Sequence, residues 1–138
     1  MNKMKTLSEK NPYYISTEKK LELVHFCRQY PEWREEYIGI VHSGATRSLA
    51  TDVVKVLRGR SPRPTEGLML RVVRLAELMD MVDNAAMEAA PGFIGAIRQG
   101  AIYGKSYDQL NAIAPMPVSR AEYYKALRKF YWILAQKR

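Results

Sequence analysis

The chain has 138 residues, a net charge of +8 at pH 7 and a single cysteine. The length fits one compact domain, and the positive charge suits a polyanionic partner and argues against a protein that mimics DNA. One cysteine excludes an internal disulfide and favours a reducing compartment, while no apolar run approaches the roughly 18 residues of a membrane span. We therefore expect a cytoplasmic protein that does not enter a membrane.

The first part of the chain predicts a mobile arm followed by helices. Residues 1–11 are polar and show no periodicity. A cap at Ser16 or Thr17 opens the first helix, and Pro31 fits the first turn of the second. Their apolar positions predict buried faces formed by Leu23, Phe26, Cys27 and Tyr30 in the first helix and by Trp33, Tyr37, Ile40 and Val41 in the second. A third helix is predicted from Arg47 to Arg58.

Residues 59–64 form the clearest break in the chain, because two prolines and two arginines indicate a semi-stiff basic loop. We expect it to separate an N-terminal helical part, residues 12–64, from residues 65–138, within what is one compact domain overall. Thr65 is predicted to cap a long helix that runs to about Ala90. Its apolar stripe consists of Leu68, Val72, Leu75, Met79, Val82 and Ala86. A shorter helix containing Phe93, Ile94 and Ile97 then ends near Gly100 or Gly104.

The last third of the chain carries the same helix-start signal twice. Gln109 follows Ser106 by three residues, and Glu122 follows Ser119 by three, so each serine can cap a helix while the later side chain bonds back to the cap. Between them, residues 115–118 contain two prolines, which end the first helix near Ala114. The pattern predicts a multi-helix, all-α bundle that ends in a helix-turn-helix.

The second helix of this pair is amphipathic. Its apolar residues Tyr123, Leu127, Phe130, Tyr131 and Leu134 fall on one stripe. The remaining surface carries Arg120, Tyr124, Lys125, Arg128 and Lys129. Such side chains suit a DNA major groove, since arginine and lysine donate to phosphates and guanine edges and a tyrosine ring contacts sugars or thymine methyl groups. A solvated face on an ordinary surface helix explains the same pattern equally well.

A second basic cluster consists of Arg47, Lys55, Arg58, Arg60 and Arg63. It offers secondary phosphate contacts beside the groove-reading helix, although a solubilising surface is slightly favoured. Glu77, Asp80 and Asp83 could bind a hard cation or act as an acid/base pair, but such residues on a polar helix face are more often paired, here with Arg71 and Arg74.

Other chemistry has little support in the sequence. His25 and Cys27 point to different faces of a helix, no zinc spacing occurs and no glycine-rich loop follows a strand. We expect no metal, no cofactor and no enzymatic activity.

Two segments carry a resemblance to known families. Gly104 to Leu110, with the pattern Gly-x-Ser-Tyr-x-x-Leu, and Ser119 to Leu134 resemble a sigma-factor region 4-type helix-turn-helix, and more closely the C-terminal module of small phage regulators of the ArpU and RinA kind. Asn11 to Ser16 and His25 to Trp33 are similar to small phage and prophage proteins of Gram-positive bacteria.

This resemblance implies a phage-encoded late transcriptional regulator that acts in the bacterial host cytoplasm on double-stranded DNA, with host RNA polymerase or another nucleoprotein complex as a further partner. Carried over by position, the residues that face bases are Arg120, Tyr124, Lys125 and Arg128, and those that contact phosphates are Lys105 and Lys129. Two alternatives stay open. One is an interaction protein that uses its basic surface to block a host or defence nucleoprotein complex, and the other is a small terminase-type DNA-packaging component.

Overall fold

A computed structural model describes residues 11–42 and 64–138 of the chain. All regular secondary structure within these two ranges is helical, which confirms the predicted all-α class. The helices are α1 (Thr17–Arg28), α2 (Tyr30–Ile40), α3 (Pro64–Ala89), α4 (Ile94–Tyr103), α5 (Tyr107–Ile113) and α6 (Arg120–Lys137). The N-terminal arm up to residue 10, the helix expected at Arg47 to Arg58 and the loop up to residue 63 lie outside the described residues.

Short-range signals in the sequence placed most helix ends correctly. The Ser16 side chain accepts from the Lys19 amide at the start of α1, and Ser119 accepts from the Glu122 amide at the start of α6. Ser106 forms both bonds of the predicted capping box with Gln109. These side chains stabilise helix starts because the first amides of a helix have no partner within it.

The start of the long helix was predicted wrongly. Helix α3 begins at Pro64, so Thr65 lies inside its first turn instead of capping it. Proline is favoured at a first helical position because it lacks the amide hydrogen that would be unpaired there and because its φ already suits a helix. The predicted end holds, since α3 stops at Ala89, two residues before Pro91.

The chain divides into two compact units. Unit 1 contains the residues up to Gln29 together with Met81–Arg138, and unit 2 contains Tyr30–Asp80. Helix α3 contributes its first part to unit 2 and residues 81–89 to unit 1. The predicted domain boundary at residues 59–64 stays a prediction.

Unit 1 is built on three helices that contact one another, α1, α4 and α6, with α5 packed against α4. Its buried apolar residues are Leu23, Phe26 and Cys27 of α1, Val82, Ala85 and Ala86 of α3, Ile97, Ala101 and Ile102 of α4, Leu110 of α5, and Tyr123, Ala126, Phe130, Tyr131 and Leu134 of α6. The predicted stripe of α6 is therefore confirmed except at Leu127, which is half-buried, while Ala126 is buried.

Unit 2 buries Tyr30 and Trp33, whose ring centroids lie 6.3 Å apart, together with Leu75 and Leu78 of α3. Leu68, expected to be buried, is exposed. Tyr30 was predicted to lie on the buried stripe of the first helix; it is buried, but it begins α2.

Ion pairs account for most of the acidic groups considered as a cation site. Arg71 donates to both carboxylate oxygens of Glu36, at 2.6 and 2.8 Å, and Arg74 donates to Glu77. Asp83 accepts from Arg98 at 2.8 Å.

In the described ranges no helix is long and apolar enough to cross a membrane.

Candidate nucleic-acid interface

Tyr107, the first residue of α5, holds that helix against the start of α6. Its backbone amide donates to the Tyr124 hydroxyl at 3.2 Å, and its own hydroxyl donates to the Val118 carbonyl at 2.7 Å. The ring of Tyr107 packs against that of Tyr123, with centroids 5.8 Å apart. These contacts join residues before and after the proline-containing connection and so fix the angle between α5 and α6. The connection is also held by the Met116 backbone amide, which donates to the Asn111 side chain.

Arg120 opens α6 and is bound to α5 by charge. Its guanidinium donates to the carboxylate of Asp108 and lies over the Tyr107 ring, 5.4 Å from the centroid. Both charged side chains remain more than half exposed, at 58% and 69%. An exposed ion pair of this kind contributes little to stability, so Arg120 can exchange Asp108 for another anion at low cost.

The outward surface of α6 consists of two rows of side chains four residues apart. One row carries Arg120, Tyr124, Arg128 and Trp132, and the neighbouring row carries Ala121, Lys125, Lys129 and Ile133. The opposite side of the helix is the buried stripe. The two rows therefore place Lys125, which is exposed, and Arg128 and Lys129, which are half-buried, on one surface, which we call the basic face of α6.

Contacts at both ends limit the basic face. At its start, Tyr124 is half-buried, because its hydroxyl accepts from α5 and its ring packs edgewise against Tyr123 with centroids 5.0 Å apart. At its far end, Tyr13 packs edgewise against Trp132, with centroids 5.6 Å apart. The segment before α1 thus contacts the surface of α6 at Trp132, beyond Lys129.

Among the described residues of unit 1, most cations outside the basic face have an acidic partner. Within the described part of the chain, the paired cations of this unit are Lys19 and Arg138 with Glu22, Arg98 with Asp83, Arg120 with Asp108, and Lys137 with Glu88. Lys125, Arg128 and Lys129 form no such pair among the described residues. Glu122 is the only acidic residue of α6 and lies in its first turn. A concentration of uncompensated positive charge attracts polyanions.

The residues predicted to contact phosphates lie in different parts of the chain. Lys129 lines an open depression together with Glu88 and Lys137, on the side of the basic face away from α5. Lys105 is half-buried in the connection between α4 and α5. The cluster predicted to give secondary phosphate contacts, Arg47, Lys55, Arg58, Arg60 and Arg63, lies outside the described residues.

Three residues contribute to this surface without having been given a role from the sequence. Tyr107 and Asp108 connect α5 to α6, and Lys20 of α1 lies near Arg128. The first two follow the capping serine, and a tyrosine and an acid in a first turn give no sign of a partner 11 or 12 residues later. Lys20 is separated from α6 by most of the chain, so no local pattern connects them.

Cys27 has no features of a reactive thiol. It is fully buried, and burial raises its pKa to about 12, although the neighbouring Arg28 and Arg138 act in the opposite direction. The thiolate, which is the nucleophile and the metal ligand, is therefore disfavoured. In residues 11–42 and 64–138, no three side chains of histidine, cysteine, aspartate or glutamate are grouped to hold a metal ion.

Comparisons with known proteins identify no relative of the chain. The chain matches no family model, no curated protein and no solved structure. The residues and their contacts are therefore the basis for the proposed function.

Proposed function

We propose that the chain is a phage-type transcriptional regulator that binds duplex DNA in a sequence-specific manner, with α5 and α6 acting as a helix-turn-helix and α6 as the recognition helix. The observation that carries this proposal is the basic face of α6, where Lys125, Arg128 and Lys129 lack acidic partners among the described residues. Most of the other described cations of the same unit have one.

The position of the basic face supports a groove-binding role. A recognition helix must present its first turns to the bases while a preceding helix packs across its start. Here Tyr107 fixes α5 across the start of α6, and the covered surface at Trp132 lies beyond the first three turns. The first three turns of α6, which carry Arg120, Lys125 and Arg128, are therefore the part that we propose enters the major groove.

The side chains divide into two roles under this proposal. Lys125 and Lys129, as flexible point charges, bind phosphates, while Arg120 has the planar donor geometry that reads guanine in the major groove. Arg120 must leave Asp108 to do so. Tyr124 contributes mainly by holding α5, since its hydroxyl is already bonded to the first amide of that helix.

Replacing Lys125 with glutamine should weaken binding to every duplex by about tenfold at roughly 50 mM salt. Each phosphate neutralised contributes about 0.9 to the slope of log affinity against log salt, so the slope should fall by about one. Fluorescence anisotropy with a labelled duplex at four or more salt concentrations measures both quantities.

The matched control is Lys137→Gln, which removes the same charge from the same helix. Lys137 is paired with Glu88 at 3.0 Å, so its loss should change affinity by less than twofold. If the two variants weaken binding equally, net charge and not the basic face determines the affinity, and the proposed site is wrong.

A further inference from the structure

Lys20 of α1 lies against the recognition helix in an unusual electrostatic setting. Its ammonium nitrogen is 5.8 Å from the centroid of the Tyr131 ring of α6, and the side chain is half-buried. Burial lowers the pKa of Lys20, and the charge of Arg128 lowers it further. Arg128 precedes Tyr131 by three residues, so both side chains project from the same flank of α6.

No carboxylate in the described part of the chain forms an ion pair with either cation. The adjacent residue Lys19 differs, because its ammonium nitrogen lies 3.0 Å from a carboxylate oxygen of Glu22. Glu22 also accepts from Arg138 at 2.7 Å. Glu22 thus compensates two neighbouring cations, whereas no described carboxylate forms an ion pair with Lys20 or Arg128, whose positive charges interact. Two like charges held together repel, and an anion placed between them relieves the repulsion.

The location of this pair suits one kind of anion. Arg128 lies on the basic face, three residues after Lys125, and Lys20 extends the positive surface from α6 onto α1. When a helix lies in a major groove, the DNA backbone passes along its flank, and helices packed beside it contact phosphates there. A phosphate between Lys20 and Arg128 would receive charge-assisted hydrogen bonds from both.

We propose that Lys20 and Arg128 together bind one backbone phosphate of duplex DNA, which makes α1 part of the DNA-binding surface. This proposal rests on the proposed function, because its ligand is the duplex that α6 reads. It adds to that function a contact that fixes the position of the DNA backbone and carries no sequence information.

The test compares Lys20→Gln with Lys19→Gln in the full chain. Lys20→Gln should lower affinity for a duplex several-fold at roughly 50 mM salt, reduce the salt slope by about one and leave the ranking of different sequences unchanged. Lys19→Gln removes an equal charge one residue away, already compensated by Glu22, and should leave affinity and slope within error of the parent. Lys20→Arg keeps the charge and should retain binding.

The possible outcomes separate the two proposals. If the parent chain binds duplex DNA and Lys20→Gln has the same affinity and slope as the parent, the phosphate site is wrong and the function stands. If Lys20→Gln alters the sequence ranking, Lys20 is not a backbone contact. If the parent binds no duplex, both proposals fail together. Circular dichroism melts test whether each variant folds like the parent. We expect unchanged melts because Lys20 is only half-buried.

Discussion

Gly100→Ala should lower the free energy of unfolding by about 2 kcal/mol, even though alanine favours helices by about 1 kcal/mol over glycine. Gly100 lies in α4, and a Cβ built there overlaps the hydroxyl oxygen of Tyr123. The Tyr123 side chain is fully buried, and its ring is held between Tyr107 and Tyr124. The ring therefore cannot move away without disturbing the start of α6. Urea denaturation followed by circular dichroism measures the loss.

Two further variants isolate the cause. Gly95→Ala makes the same change in the same helix where a Cβ meets nothing within 4 Å, and it should stabilise the chain by up to about 1 kcal/mol. Adding Tyr123→Phe to Gly100→Ala removes the oxygen that clashes and should restore at least about 1 kcal/mol. Equal stability of the Gly100→Ala and Gly95→Ala chains would contradict the described packing of α4 against α6.

Asp108→Asn should strengthen binding to duplex DNA by about tenfold at about 50 mM salt. The substitution keeps the shape of the side chain, removes a negative charge beside the basic face and releases Arg120. Removing the charge is equivalent to about one additional phosphate contact, which is worth roughly tenfold at this salt concentration, whereas releasing Arg120 adds little because an exposed ion pair costs little to break. Anisotropy titrations of the parent and the variant on the same duplex measure the gain.

The appropriate comparison is Glu36→Gln, which breaks another exposed arginine–carboxylate pair, between Glu36 and Arg71 of unit 2. It raises the net charge equally and should change affinity by less than twofold. Unchanged or weaker binding by Asp108→Asn would mean that Asp108 orients Arg120 for its contact, or that α6 does not face the DNA.

The elements predicted well are those whose signals are local. Ser106 and Ser119 each act on an amide three residues later, and Gly104 ends α4 in the left-handed region with a φ of 69°. The buried stripe of α6 follows from helical periodicity alone. The start predicted at Thr65 was wrong because Thr65 lies next to a proline that also suits a helix start, so two local signals competed.

The candidate site was predicted less completely because its defining contacts connect distant residues. The sequence shows that Arg120 and Arg128 are on the polar side of a helix, but it does not show that Asp108 binds the first and that Lys20 lies near the second. Nor does it distinguish Lys125, without an acidic partner among the described residues, from Lys137, which has one on another helix. Pairing across helices depends on how they pack, and that information is not contained in local spacing.

The most direct test of the proposed function is selection of bound sequences from a pool of random duplex DNA at two salt concentrations, with Arg120→Ala and Arg128→Ala as companion variants. We expect one enriched motif for the parent chain, retained at the higher salt concentration. Each variant should bind that motif about tenfold or more weakly, and Arg120→Ala should also lose preference at one base position. Salt-sensitive binding without any enriched motif would contradict sequence-specific recognition, and the basic face of α6 would then be a surface for phosphates or for a nucleoprotein complex.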